Sequence, residues 1–135
     1  MPEDKKQKVL IIDDDEFLLN MYSMKFKKSG FEIDTAKSGS SALSKIKEGS
    51  NPDIVLLDLV MPDMDGLELL GTLRKEKLLP NASVIILSNQ NQQTDVDRAK
   101  SLGVAGYIVK ASSIPSEVVS EVERIIATPG ASVKK

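Results

Sequence analysis

Asp53-Ile54-Val55-Leu56-Leu57-Asp58-Leu59-Val60-Met61-Pro62-Asp63-Met64-Asp65-Gly66 places an unbroken apolar run directly before a lone carboxylate. The run lies between Pro52 and Pro62 and has the length of one strand. Without polar alternation it reads as a strand buried on both faces, the pattern of a parallel sheet. Ligands of open parallel sheets bind at the carboxyl ends of the strands, so Asp58 stands where chemistry is expected. Met61 to Gly66 supplies a turn, and Leu67-Glu68-Leu69-Leu70 opens a helical pattern.

Composition narrows the classes of function. A chain of 135 residues with 41% hydrophobic and 28% charged residues suits one globular domain. That domain is expected over residues 8–127, with flexible tails at 1–7 and 128–135. A net charge of −2 gives no basic field, so this domain is not expected to bind nucleic acid. There is no cysteine, which excludes disulfides and thiolate metal sites. Histidine is absent too, which removes imidazole ligands, His general bases and any phosphohistidine of the chain's own. No apolar run approaches a membrane span, and Val9-Leu10-Ile11-Ile12 is too short for a signal peptide. The expected location is cytoplasmic.

Outward from the central strand, the chain alternates. Lys8 to Ile12 is a buried-strand pattern that stops at Asp13-Asp14-Asp15-Glu16. Helical spacing follows, with Phe17, Leu18, Met21 and Met24 expected on the buried side, up to Ser29-Gly30. Phe31 to Ala36 alternates like a half-buried edge strand, and Gly39 opens a helix through Ala42, Leu43 and Ile46 to about Gly49. After Asp58 a helix is expected from about Gly66 to Lys77. Ser83 to Leu87 is a fourth strand ending at Ser88-Asn89. The polar segment Asn89 to Gln93 reads as a mobile loop. Thr94 with Asp97 resembles a capping box for a helix ending at Leu102-Gly103. Gly106-Tyr107-Ile108-Val109 is a fifth strand with Lys110 at its end, and Pro115 opens a last helix bearing Val118, Val119, Val122, Ile125 and Ile126.

A β-α alternation repeated five times implies a parallel α/β sheet, right-handed crossovers and helices on both faces. The row of strand ends then gathers Asp13, Asp14, Asp58, Ser88 and Lys110. Carboxylates brought near one point repel one another, and a hard cation resolves the conflict. Mg²⁺ suits best, since it accepts one or two carboxylates, a carbonyl and several waters. A carboxylate is also a nucleophile able to form an aspartyl-phosphate. A metal on Asp13 and Asp14, the Lys110 ammonium and the Ser88 hydroxyl would supply the charge neutralisation that phosphoryl transfer needs around Asp58.

Each residue also has a structural explanation. The acids before the first helix could be cap and first-turn residues, Asp58 a turn acid, Ser88 a bond to local backbone, Lys110 a solvated lysine and Tyr107 a core residue. Their joint placement at successive strand ends favours a common site over separate structural roles.

These residues resemble the receiver domain of two-component response regulators over about Lys8 to Ala127. The acidic pair Asp13-Asp14, Asp58, Met61-Pro62, Asp65-Gly66, Ser88 and Gly106-Tyr107-Ile108-Val109-Lys110 carry the resemblance. It implies a flavodoxin-like (βα)5 three-layer sandwich with strand order 2-1-3-4-5, for which the chemotaxis receiver is a standing example. It implies that Asp58 accepts a phosphoryl group from a phosphohistidine on a sensor histidine kinase or histidine phosphotransfer protein. Asp13, Asp14, Asp58 and the backbone carbonyl of Val60 would coordinate Mg²⁺, and Ser88 and Lys110 would hold the phosphate oxygens. Ser88 and Tyr107 would be the switch residues, remodelling the surface of helix four, strand five and helix five for a downstream protein. The chain would be a monomer or a phosphorylation-linked homodimer, with no membrane partner. It would catalyse only its own phosphorylation and dephosphorylation.

Three positions depart from the family pattern. Asn89 stands where a small residue is usual, Ala111 replaces the proline after the lysine, and Asn89-Gln90-Asn91-Gln92-Gln93 is rich in amides. A cis bond before a non-proline residue costs about 2.5–4 kcal/mol, so the Lys110-Ala111 bond is expected to be trans.

Two other functions compete. Asp13-x-Asp15 resembles the nucleophile motif of haloacid-dehalogenase-type phosphatases, with Ser88 and Lys110 as later motifs; against it, no acidic pair follows Lys110 and Asp58 would have no role. A pseudo-receiver, acting as an interaction module without phosphate, usually lacks an acid or the lysine, and none is missing here. No helix-turn-helix pattern follows Ala127, so the output is expected through a partner or through a domain outside this sequence.

Overall fold

In the computed structural model, residues 7–59, 61, 64–88, 93–110 and 115–127 are described. The strands and helices alternate along the chain as β1 (Lys8–Ile12), α1 (Glu16–Lys28), β2 (Glu32–Ala36), α2 (Gly39–Lys47), β3 (Ile54–Leu57), α3 (Gly66–Lys75), β4 (Ser83–Ser88), α4 (Gln93–Ser101), β5 (Gly106–Val109) and α5 (Pro115–Ala127). The strands form one parallel sheet in the order β2-β1-β3-β4-β5. This is the flavodoxin-like order that the resemblance implied.

Strand residues point alternately to opposite faces, and in a sheet covered on both sides each face must be apolar. Leu10, Ile12, Val55, Leu57, Val84 and Ile86 face one way and bury with Ala42 and Ile46 of α2, Leu67, Leu69, Leu70 and Leu73 of α3 and Ala99 of α4. Val9, Ile11, Ile54, Leu56, Ile85, Leu87 and Ile108 face the other way, against Leu19, Tyr22 and Phe26 of α1 and Val118, Val119, Val122 and Ile125 of α5. All four residues of β3 are buried, as its continuous apolar run requires. At the open edge, Lys45 of α2 donates to Asp34 Oδ1 at 2.8 Å and to the Thr35 carbonyl at 2.6 Å, tying a helix to the polar strand β2. No helix among the described residues is long and apolar enough to cross a membrane.

Three local expectations are corrected. On α1 the buried residues are Leu19, Tyr22 and Phe26, whereas Phe17 and Met24 are 71% and 66% exposed. Leu18 packs against the core only partly, and Met21 is half-buried. Two apolar stripes overlap on this helix, and the one carrying Tyr22 and Phe26 wins. Phe26 meets Phe31 edge-to-face with ring centroids 5.4 Å apart. At the start of α4, Thr94 lies inside the first turn, and Asp97 accepts a hydrogen bond from Gln93 Nε2 at 2.8 Å. The pair is therefore no capping box in which Thr94 is the N-cap. Of the expected tails at 1–7 and 128–135, all but residue 7 lie outside the described residues, as do the loop residues 89–92 and the Lys110-Ala111 bond.

The third correction concerns α3, which ends at Lys75 rather than Lys77. The Leu78 N–H bonds back to the Leu73 carbonyl at 2.8 Å and the Lys77 N–H to the Arg74 carbonyl at 3.2 Å, closing the helix by a Schellman-type turn. Such a turn needs a left-handed residue, and exposed Lys77 adopts it with φ 57°. A side chain in this conformation costs roughly 1–2 kcal/mol. Replacing Lys77 by Gly is expected to stabilise the protein by about 1 kcal/mol and raise its melting temperature by roughly 3–5 °C. Lys77→Val is expected to lower it, and thermal melts of the two variants measure the difference.

Candidate phosphoacceptor and cation site

The site is made by chain ends that the sheet brings into line. Asp13 follows β1, and its N–H bonds to the Ala36 carbonyl of the neighbouring strand at 3.1 Å. Its carboxylate is 2% exposed, and Oδ1 accepts the Asp15 N–H at 2.9 Å, which fixes its direction. Asp15 is the N-cap of α1 and accepts the Leu18 N–H at 3.2 Å. The structural explanation of the acidic run thus holds for Asp15. It does not hold for Asp13, which points into the site.

Asp58 follows β3, with its N–H bonded to the Ile12 carbonyl at 3.0 Å. The start of α3 presses on its backbone. Gly66 donates its N–H to the Leu59 carbonyl at 2.8 Å, and a Cβ at Gly66 would stand 2.3 Å from the Asp58 carbonyl oxygen. Glycine is required here by close approach. Asp65 caps this helix through the Glu68 N–H at 2.8 Å.

Lys110 reaches back from the end of β5. Its Nζ lies 2.7 Å from Asp13 Oδ2 and 3.4 Å from Asp58 Oδ2, and its side chain is 10% exposed. Burial alone would push this ammonium down; the Asp13 hydrogen bond and the charges of Asp58 and Asp13 outweigh it and hold the pKa above its ordinary value. Lys110 is therefore no solvated surface lysine. Ser88, fully buried at the end of β4, is paired in register with Val109, the residue before Lys110.

Carboxylate oxygens of Asp13, Asp14 and Asp58 lie within 4.8 Å of one another, two of the residues buried and Asp14 exposed. One lysine cannot neutralise three carboxylates. An oxygen-only donor set of this size, with one open side, fits a hard dication such as Mg²⁺. Val60, whose carbonyl was an expected ligand, lies outside the described residues. Tyr107 is half-buried on the α3–α4 side of the sheet, and its phenol is pushed up by burial and then by the charge of Asp95 on α4.

One neighbour escaped the reading of the sequence. Tyr22 of α1 is buried, and its phenol is pushed up by burial, then feels Lys110, Asp13, Asp58 and Asp15. Its signal was a phenol at helical spacing from the acidic run, hidden because the apolar face of α1 was assigned to the other stripe.

Comparison with known proteins agrees with this fold. The sequence model of the family described as "Response regulator receiver domain" matches residues 9–123. The chain is 32% identical over 133 residues to the alkaline phosphatase synthesis transcriptional regulatory protein PhoP of Bacillus subtilis, covering 95% of this chain and 54% of that protein. It is 36% identical over 120 residues to the chemotaxis protein CheY of Thermotoga maritima, covering 88% of this chain and 97% of the relative. The solved structure of chemotaxis protein CheY4 from Vibrio cholerae superposes with a TM-score of 0.81 at 26% identity, over 90% of this chain and 99% of that one. The chain spans about half the length of several regulators it matches, among them PhoP and ResD of Bacillus subtilis.

The Lys110 contacts set a pH dependence. A folded pKa above the unfolded value of 10.5 means that the stabilisation is fully present below pH 10.5 and is lost as pH rises through the folded pKa. Removing the cation leaves two buried carboxylates without its charge, so Lys110→Met is expected to cost about 3 kcal/mol in metal-free buffer. In urea unfolding, the gap between wild type and variant is expected to stay constant from pH 7 to about 10 and to close above that. A gap that shrinks by pH 8 would contradict the assignment.

Proposed function

The chain belongs to the response regulator receiver domain family, and on that premise we propose that it is a phosphorylation-dependent switch whose phosphoacceptor is Asp58. The observation that carries this reading is the Lys110 ammonium shared between Asp13 at 2.7 Å and Asp58 at 3.4 Å. It stands where charge accumulates when a phosphoryl group joins Asp58.

A carboxylate oxygen of Asp58 attacks phosphorus, the phosphorus–nitrogen bond of a donor phosphohistidine breaks, and the imidazole leaves with the electron pair. The donor belongs to a sensor histidine kinase or a histidine phosphotransfer protein, and the lack of histidine in this chain agrees with a donor in trans. Lys110 turns from the Asp58 carboxylate to a phosphate oxygen, and the Ser88 hydroxyl donates to another. Asp13, Asp14 and Asp58, with the Val60 carbonyl that the family resemblance adds, would hold Mg²⁺. When bound, the ion neutralises carboxylate and phosphoryl charge that Lys110 alone cannot balance. Hydrolysis of the aspartyl-phosphate resets the site, so the domain turns over its own phosphate and no pool of substrate.

The output follows from the two-state logic of such switches: one local charge event biases a bistable element. Ser88 moving toward the phosphate and Tyr107 turning inward remodel the face made by α4, β5 and α5. A downstream protein, a second copy, or an output domain of the kind implied by the names of the longer relatives reads that face. The setting is the cytoplasm.

Intact mass after incubation with acetyl phosphate and Mg²⁺ tests the reading. The wild type is expected to gain one phosphoryl group, lost again on standing, and Asp58→Asn is expected to gain none. No gain in wild type would indicate a pseudo-receiver, and a beryllofluoride adduct on Asp13 would indicate the phosphatase chemistry.

A further inference from the structure

Arg74, in the last turn of α3, reaches across to the end of α4. Its Nε donates to the Leu102 carbonyl at 2.7 Å and its Nη2 to the Gly103 carbonyl at 3.1 Å. Those carbonyls lie just past Ser101, the last residue of α4. Helix ends leave such groups without intrahelical partners. The turn is also closed from within. Leu102 donates to Arg98 and Ala99, Gly103 to Lys100, and Val104 to Ala99, with Gly103 left-handed at φ 81°. The C-terminal end of α4 is therefore cross-tied to α3 by a planar fork with two charge-assisted bonds.

The rest of α4 is held lightly. Its one buried residue among those described is Ala99, and the Gln93–Asp97 bond in its first turns is internal to the helix. Half-buried Tyr107 packs against the core cluster that includes Ala99 of α4, and the charge of Asp95 in the first turn bears on its phenol. The helix has a fixed C-terminal end at Arg74 and a lightly packed N-terminal end.

We propose that Arg74 is a positioning residue that makes the C-terminal end of α4 the pivot of the switch. Rearrangement around Tyr107 then takes the form of a swing of the N-terminal turns, and the connection into β5, which carries Tyr107 and leads to Lys110, keeps its place. The tie itself is independent of phosphorylation; only the swing rests on the phosphoacceptor reading. Lysine cannot replace the arginine fully, because an ammonium lacks the planar pair of donors.

Amide hydrogen exchange on the unphosphorylated protein tests the tie. In Arg74→Met the amides of Leu102, Gly103 and Val104 are expected to exchange about tenfold faster, with β1 and β3 unchanged. Arg74→Lys is expected to fall between wild type and Arg74→Met. Unchanged rates at those amides, or equal acceleration throughout the sheet, would overturn the proposal. With beryllofluoride and Mg²⁺, amide shifts in wild type are expected over 93–98 and not over 102–104, and in Arg74→Met they spread to 102–104. Equal shifts at both ends of α4 in wild type would overturn the pivot. If no adduct forms in any variant, the phosphoacceptor reading and the swing fall, while the exchange rates still decide the tie.

Discussion

The ammonium of Lys110 held between two buried carboxylates is the contact on which the rest of the arrangement depends. Burying ions costs several kcal/mol each unless they are paired and hydrogen-bonded. Asp13 meets the requirement with the Asp15 N–H on one oxygen and Lys110 on the other. Asp58 shares the same ammonium at 3.4 Å. With Asp14 beside them in the open, the group keeps an excess of negative charge that favours a dication.

Such a contact needs three separate strands to end near one point. β1 and β3 end level, with Ile12 beside Leu57. Leu57 lies beside Ile86 and Ile86 beside Tyr107, so β4 and β5 run two residues further and Lys110 reaches back to the acids. β1 and β3 keep an apolar run to their last residue, and the chain then turns acidic at Asp13 and Asp58. The helices shape the site that the strand ends supply. The start of α3 packs so closely on the Asp58 backbone that only glycine fits at position 66, and α1 brings the Tyr22 phenol beside the charges.

The strands, their order of appearance and the polar strand ends were legible because both signals are local: an apolar run with no alternation, then an acid or a lysine. Asp13, Asp14, Asp58 and Lys110 could be placed together without knowing a single distance. The buried face of α1 was not legible, since Phe17/Met21/Met24 and Leu19/Tyr22/Phe26 are both apolar stripes and only tertiary packing against the sheet, α5 and Phe31 separates them. The end of α3 was missed for a different reason. A left-handed turn is announced by glycine, and here a lysine adopts it. The Arg74 tie was invisible because its partners are backbone carbonyls, which every sequence offers equally.

The central claim is that strand-end carboxylates form one oxygen cage beside Lys110. The most direct measurement replaces Mg²⁺ by paramagnetic Mn²⁺ and follows amide signals in solution. Signals of Asp13, Asp14, Asp58 and their immediate neighbours are predicted to broaden first and together, with competition by added Mg²⁺ restoring them. Broadening that begins elsewhere on the surface, or that Mg²⁺ does not reverse, would contradict it.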